Sequence, residues 1–297
     1  MPQEFQYKVY LPSIADYIRV SELKNHEHLS IIKYNKNNDT EGLANYLEAL
    51  IQDKISDKSI NLHRIDKFCI LLTMIMLCID PVITLNATCD ETEEMYELVV
   101  DVGDVLNIVT NVEYSNFNIS TDQLTVNFQY PSALLATGET SLVKFINTID
   151  IDGHVFDLYN LNSTELDMVF DYLPSSCFPK IAAKLKTLRE KYNEIEVFKF
   201  QSPYVENSEP IILNVDLVEN DLFELIRILF GHDMNGFYEM QFAMMSNYHF
   251  PPVYYNQCSP IEVKLFYSYM KRDVDEKNKQ IEESRNSNKT PAEKFTG

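Results

Sequence analysis

Glycine is scarce in this 297-residue chain, with seven in all, and tryptophan is absent. So few glycines leave little material for loops whose bare backbone cradles phosphate, because such loops need close backbone approach. Cysteine is sparse and odd in number: Cys69, Cys78, Cys89, Cys177 and Cys258. No two are separated by only two residues, which argues against a disulfide framework and a zinc ribbon alike. Reduced, mostly buried thiols in an intracellular setting are the simpler expectation. The longest apolar run, Phe68 to Ile79, is interrupted by Thr73 and falls short of the roughly 20 residues that cross a bilayer. The opening Met1-Pro2-Gln3-Glu4-Phe5 has no basic stretch leading into an apolar one, so no export signal is expected. Without that route the sequons at Asn86, Asn118 and Asn162 carry no meaning.

Positive charge is short as well. There are 25 Lys and Arg against 45 Asp and Glu, a formal charge of −20. Between Asn61 and Phe170, 17 acids face three bases, Arg64, Lys67 and Lys144. Such a surface repels a phosphate backbone and an anionic leaflet, so neither nucleic acid nor membrane is an expected partner. A basic protein or a cation fits better, and solubility alone would also account for the excess. What the chain does have is 45% hydrophobic and 12% aromatic residues, enough for a folded globular core.

The apolar spacing predicts an α+β protein in which helical N- and C-terminal segments flank a small antiparallel sheet. Residues 1–81 read as an N-terminal helical region. Phe5 to Leu11 alternates like a short strand, an irregular helix is expected over Val20 to Tyr34, and Asn35 to Asn38 is a polar break. Asp39 caps a helix carrying Leu43, Tyr46, Leu47, Leu50 and Ile51. Ile65 to Cys78 is apolar on nearly every side and predicts a fully buried helix ended by Pro81. Residues 82–161 read as the sheet, from Val82–Leu85, Tyr96–Val102 and Leu124–Tyr130, with a helix over Asp104–Val112 and a turn at Asp152-Gly153. Residues 162–283 read as helical again: a helix capped by Ser163 or Thr164, then Phe178–Ile195, Leu213–Phe230 and Phe237–Tyr248. Glu196–Phe200 is expected to return to the sheet. Ser259-Pro260-Ile261-Glu262 opens a last helix with a capping Ser, Pro at its first position and Glu at its third, and Leu265, Phe266 and Tyr269 continue its stripe. Residues 284–297 read as a mobile tail.

Catalytic patterns are missing: no nucleophile elbow, phosphate loop, dinucleotide fingerprint or zincin helix is present. His26 and His28 lie two apart on an expected helix and cannot share a metal from one face. His232-Asp233 follows Gly231 at a helix boundary, where capping explains it better than a phosphohydrolase site. Asp150 and Asp152 would share one strand face, an arrangement suited to a divalent cation, but the Asp-Gly turn accounts for Asp152 by itself. No cofactor, metal or catalytic residue is therefore assigned, and a non-enzymatic protein is expected. A metal-dependent hydrolase using Asp150, Asp152 or His232-Asp233 is the alternative.

Two features suit partner binding. Asp90, Glu91, Glu93 and Glu94 form an acidic loop beside Cys89, fit either for a basic partner or for keeping a strand connection solvated. The run from Phe237 to Tyr255 is rich in Met and aromatics, including Phe237, Tyr238, Met244, Met245, Tyr254 and Tyr255. That composition is favoured at interfaces. Several of these residues recur at helical spacing, which leans toward a core role instead.

Val9-Tyr10-Leu11-Pro12-Ser13, Ile32-Lys33-Tyr34-Asn35, Leu62 to Ile79 with its Ile65-Asp66-Lys67-Phe68, Leu173-Pro174-Ser175-Ser176 and the final helix after Ser259-Pro260-Ile261-Glu262, taken in this order, resemble the baseplate hub assembly proteins of T4-like tailed phages. The resemblance implies a protein made in the host cytoplasm, with the virion tail baseplate as the alternative location, that helps the tail baseplate hub assemble. Tail hub or tape-measure proteins would be its partners. A permanent structural part of the hub is the neighbouring possibility. No enzymatic residue carries over from the family.

Overall fold

The computed structural model describes residues 5–88, 95–111, 117–120, 124–128, 132–135, 146–158, 161, 163–192, 195–200, 211–215, 220–231 and 233–287. The chain opens with a hairpin, β1 (Gln6–Leu11) and β2 (Asp16–Ser21), paired antiparallel from Gln6↔Ser21 to Leu11↔Asp16. Val9, Leu11, Ile18 and Val20 alternate onto one buried face. Val20 is thus in a strand, not at the start of a helix as its spacing to Leu23 suggests. The turn, with Ala15 at φ 53, lacks the Asn-Gly or Asp-Gly pair that advertises a hairpin. Helix α1 (Asn25–Lys36) and helix α2 (Thr40–Lys54) follow, separated at Asn37 to Asp39. Asp39 caps α2 by accepting from Gly42 N at 2.9 Å, as expected, and a buried Lys54–Glu27 pair at 2.7 Å ties the two helices.

Helix α3 (Arg64–Met74), extended by a π-helical turn at Ile75–Ile79, is the centre of the molecule. Every residue of α3 is buried, as its sequence predicts. Each large aliphatic side chain there contributes on the order of 2 kcal/mol from burial, before ordering costs. It packs on β1, α2, α4 and α7. Its first turn is charged, and those charges hold non-helical chain. Asp66, fully buried, accepts from Ser13 N (3.0 Å), Ser13 Oγ (2.6 Å) and His63 N (2.9 Å). Lys67 pairs with Glu48 of α2 and donates to Ser132 O at 2.6 Å. Glu48 accepts from Leu134 N at 2.7 Å, and Arg64 Nε donates to Ala133 O at 2.6 Å.

Among the described residues the middle of the chain holds two sheets where one was expected. Strands β3 (Val82–Thr88) and β4 (Met95–Asp101) form a two-stranded ladder. After helix α4 (Val102–Thr110), strands β5 (Phe117–Ser120), β6 (Leu124–Phe128), β7 (Ile146–Ile151) and β8 (His154–Asp157) form a meander in that order. The β7–β8 turn is the predicted one, with Asp152 at φ 50 and Gly153 at φ 83. The fold class is α+β, with helices toward both ends.

Helices α5 (Ser163–Asp171) and α6 (Phe178–Tyr192) match expectation closely. Strand β9 (Ile195–Phe200) does not rejoin the meander. It pairs with β10 (Ile211–Val215), so Leu213 belongs to a strand. Helix α7 (Asp221–Leu229) begins well after the predicted Leu213, because the β-branched Ile211, Ile212 and Val215 favour the ladder. Leu217 lies outside the described residues. One hydrophobic core joins side chains from β1 and β2 through α7. Helices α8 (Met234–Tyr248), α9 (Pro252–Gln257) and α10 (Pro260–Ser287) complete the described chain. Helix α10 runs past residue 284, where a mobile tail was expected, and residues 288–297 are outside the described set.

Removal of the Asp66 carboxylate leaves three donors without their acceptor, two of them from the β1–β2 turn. Asp66→Ala is expected to lower the unfolding free energy by about 3 kcal/mol, read as a fall in urea midpoint at unchanged m-value. Asp66→Asn, which keeps an acceptor oxygen, is expected to lose less. A loss for Asp66→Ala under about 1 kcal/mol would contradict the tether.

Candidate interaction surface

Helices α8, α9 and α10 form a small core of their own. Met244, Tyr255 and Val263 are its buried members, with Phe237, Met240, Phe250, Cys258, Tyr267 and Met270 packed around them. Phe237 meets Tyr255 edge-on, ring centres 5.7 Å apart, and Phe250 lies 5.8 Å from Phe266. The Tyr255 hydroxyl donates to Phe237 O at 3.3 Å and Tyr248 to Met270 O at 2.7 Å. Ser259 and Glu262 make the predicted capping arrangement, Ser259 N donating to Glu262 Oε2 at 2.8 Å.

This unit is seated on α1 and on the end of the π-helical turn by polar groups. Asn25 N donates to Cys258 O (2.8 Å), and the His26 ring to Asn256 O (2.9 Å). Lys264 of α10 reaches Ile79 O at 3.1 Å and Asp80 at 3.2 Å. One turn on, α1 also caps α7. His28 Nε2 donates to Phe230 O, and Asn35 Nδ2 to Arg227 O and Gly231 O, each at 2.9 Å. These are carbonyls that a helix leaves without internal partners at its C-terminus.

The sequence-predicted contact residues are therefore divided. Met244 and Tyr255 are core, correcting their assignment to a contact surface. Phe237 is half-buried within the same core, and Met245 is half-buried on α8. Tyr238 and Tyr254 are exposed, Tyr254 at 65%. Glu91, Glu93 and Glu94 lie outside the described residues, as do Asp90 and Cys89. Composition alone cannot divide such a cluster, because Met and Tyr serve core and surface equally well.

Other exposed side chains sit beside these. Phe242 and Val253 are each 71% exposed, and Ile261, Leu265, Phe266 and Tyr269 all face solvent. Leu265, Phe266 and Tyr269 were expected to continue the apolar stripe of α10. The packed stripe of α10 is instead Val263, Tyr267 and Met270. Apolar residues surround the first three turns of this helix, and one neighbour can cover only one side. That all-round pattern was the available signal for a second contact. Beyond Met270 the stripe continues at three- and four-residue steps through Val274, Lys277 and Ile281, with Val274 and Ile281 exposed.

The residues weighed for chemistry hold structural positions. His26 and His28 point to different carbonyls. Asp233 caps α8 by accepting from Gly236 N at 2.9 Å, while His232 is outside the described residues. Asp150 accepts from Gly153 N at 2.8 Å, and Asp152 lies in the turn rather than on the strand face. Cys69, Cys78 and Cys177 are buried free thiols and Cys258 is half-buried. Among the described residues no group of three or more His, Cys, Asp or Glu side chains is placed to hold a metal, and no helix is long and apolar enough to cross a membrane.

Burial lowers the His28 pKa to about 4, against the opposing pull of the Phe230 carbonyl. The unfolded chain takes up this proton near pH 6.5, the folded protein only near pH 4. Stability from neutral His28 is thus complete above pH 6.5 and is lost as pH falls toward 4. The loss expected across that window is about 3 kcal/mol. Urea unfolding at stepped pH checks it: His28→Gln is expected to flatten the slope between pH 6.5 and 4, and an unchanged slope would contradict the assignment.

Comparison with known proteins gives one result. A family model described as T4 bacteriophage base plate protein matches residues 3–198. No curated protein and no solved structure matched the chain.

Proposed function

We propose, from the premise that this chain belongs to the T4 bacteriophage base plate protein family, that it assists assembly of the baseplate hub through protein–protein contacts and without catalysis. Its role is a baseplate-associated structural or assembly one, and its partners are other phage tail proteins. The finer reading is ours. It is an assembly chaperone made in the host cytoplasm, with hub or tape-measure proteins as its partners. The observation that carries it is the solvent-facing apolar set on α8, α9 and α10, on a unit already fixed to the main body. Large apolar side chains held rigidly at a surface favour association, since little freedom remains to be lost on binding. The engagement of Asp150, Asp233, His26 and His28 in turns, caps and carbonyl bonds supports a non-enzymatic role.

A permanent place in the hub is the second reading, favoured by the amount of apolar side chain exposed on the free chain. A permanent part keeps this surface covered in the finished particle, whereas a chaperone releases it.

The triple variant Phe242→Ala, Tyr254→Ala, Leu265→Ala is expected to keep its melting temperature within about 2 °C, since exposed substitutions cost little. The same variant should lose about tenfold or more in recovery with assembling tail complexes from infected cells, as central aromatic anchors do. Full recovery with tail complexes would refute the surface assignment. Tyr255→Ala, by contrast, is expected to destabilise the fold by roughly 3 kcal/mol. Quantitation of the chain in assembly intermediates and in finished tails separates the chaperone from the permanent component.

A further inference from the structure

Among the described residues, β3 pairs with β4 alone, so its other edge carries no strand. The register shows which backbone groups that edge presents. Val102 N donates to Pro81 O at 3.0 Å. By the alternation of an antiparallel ladder, Pro81, Ile83, Leu85 and Ala87 turn their backbone toward β4, while Val82, Thr84 and Asn86 turn theirs outward. The Val82 amide agrees, since it donates to Asp80 Oδ1 at 3.2 Å. Thr84 and Asn86 thus direct amide and carbonyl groups at the open edge.

That edge borders a cavity of about 450 Å³. Val82, Ile83 and Thr84 all line it, although successive strand side chains point to opposite faces. Three in a row line one cavity when the strand meets it edge-on. The remaining wall is largely apolar, from Ile32 of α1, Leu229 and Phe230 at the end of α7, and Phe237 and Met240 of α8. Within it the buried Asn25 side-chain nitrogen lies beside the Tyr255 hydroxyl and has no well-formed hydrogen bond. The surroundings are acidic. Asp80 and Asp233 line the cavity, and Asp101 and Glu97 stand opposite Val82 and Asn86 on β4. Lys264 is already engaged by Ile79 O and Asp80.

We infer that the open edge of β3 takes up an extended segment of another baseplate protein as an added strand. One apolar side chain of that segment enters the cavity, and Lys or Arg residues beside it meet the surrounding acids. Main-chain bonds along the edge provide affinity and the cavity selects the side chain. A second copy of this chain is disfavoured, because its own charge is also −20. The inference rests on the baseplate role given above.

Proline at an outward-facing position removes the edge donor and spares the ladder, whose amides here belong to Ile83 and Leu85. Thr84→Pro is therefore expected to fold, by circular dichroism and thermal melting. It should fall by about tenfold or more in the amount of chain per baseplate assembly intermediate isolated from infected cells, as loss of a main-chain docking bond implies. Thr84→Val, which keeps the amide, is expected to incorporate normally. Normal incorporation of Thr84→Pro overturns the inference. Equal loss in Thr84→Val also overturns it, because a side-chain contact would then be responsible. Hydrogen exchange over residues 82–88 of the unmodified chain tests the same point even if the proline variant misfolds. Slower exchange in the baseplate assembly intermediate than in the free chain is expected, and equal exchange overturns the inference. A free chain that dimerises through this edge, with the dimer lost in Thr84→Pro, assigns the edge to a second copy and overturns it too. Absence of the unmodified chain from baseplates and their precursors would instead refute the baseplate role itself.

Discussion

The structure depends on charge buried at one end of an apolar helix. Helix α3 has burial enough to form a core, but burial is non-directional and would tolerate many arrangements of the chain around it. Asp66, Arg64 and Lys67 supply the direction. Each binds backbone groups of a segment that makes few regular bonds of its own: Ser13 in the first turn, and Ser132 and Ala133 beyond the meander's second strand, where Glu48, paired with Lys67, holds Leu134. Such groups add little net stability when paired and cost several kcal/mol when a partner is removed. Their effect is therefore on uniqueness more than on depth. They decide which loops lie over the core.

The C-terminal unit is attached by the same kind of device. Its own core is small, and its seat on α1 relies on aligned polar groups, with Asn25, His26 and Lys264 meeting carbonyls on both sides of the junction. His28 and Asn35 finish α7 from the same helix, so α1 acts as a spine. One face serves the main core, and another satisfies the ends of neighbouring helices. A rigid mount of this sort keeps exposed apolar side chains at fixed mutual positions, which is what complementarity to a partner requires.

How much of this was legible beforehand depends on whether the cause is local. Asp39, Ser259 with Glu262, and Asp152-Gly153 act within a few residues, and their caps and turn stand where the sequence puts them. The burial of α3 is likewise plain from the lack of any polar side. The β1–β2 hairpin is not, because a Pro-Ser-Ile-Ala turn carries no strong turn signal and Val20 spaces plausibly with Leu23. The placement of Leu213 turns on pairing with β9, a long-range contact that local spacing does not encode. The contact surface was half legible. Tyr254 and Tyr255 are adjacent and chemically identical, yet one is exposed and the other is core. The packing of α9 on α1 and against Phe237 of α8 distinguishes them.

The second half of α10 differs electrically from the acidic middle of the chain. From Lys271 to Ser287 it carries five bases and five acids, in a chain whose total is −20. Between residues 61 and 170, where 17 acids face three bases, the protein carries a field that orders cations and slows the approach of any other acidic surface, its own copies included. Along this stretch that field has no local source. Here an acidic neighbour can lie close without repulsion, and contact is governed by shape and by Val274 and Ile281, largely independent of salt. The helix thus gives a strongly charged molecule a neutral edge.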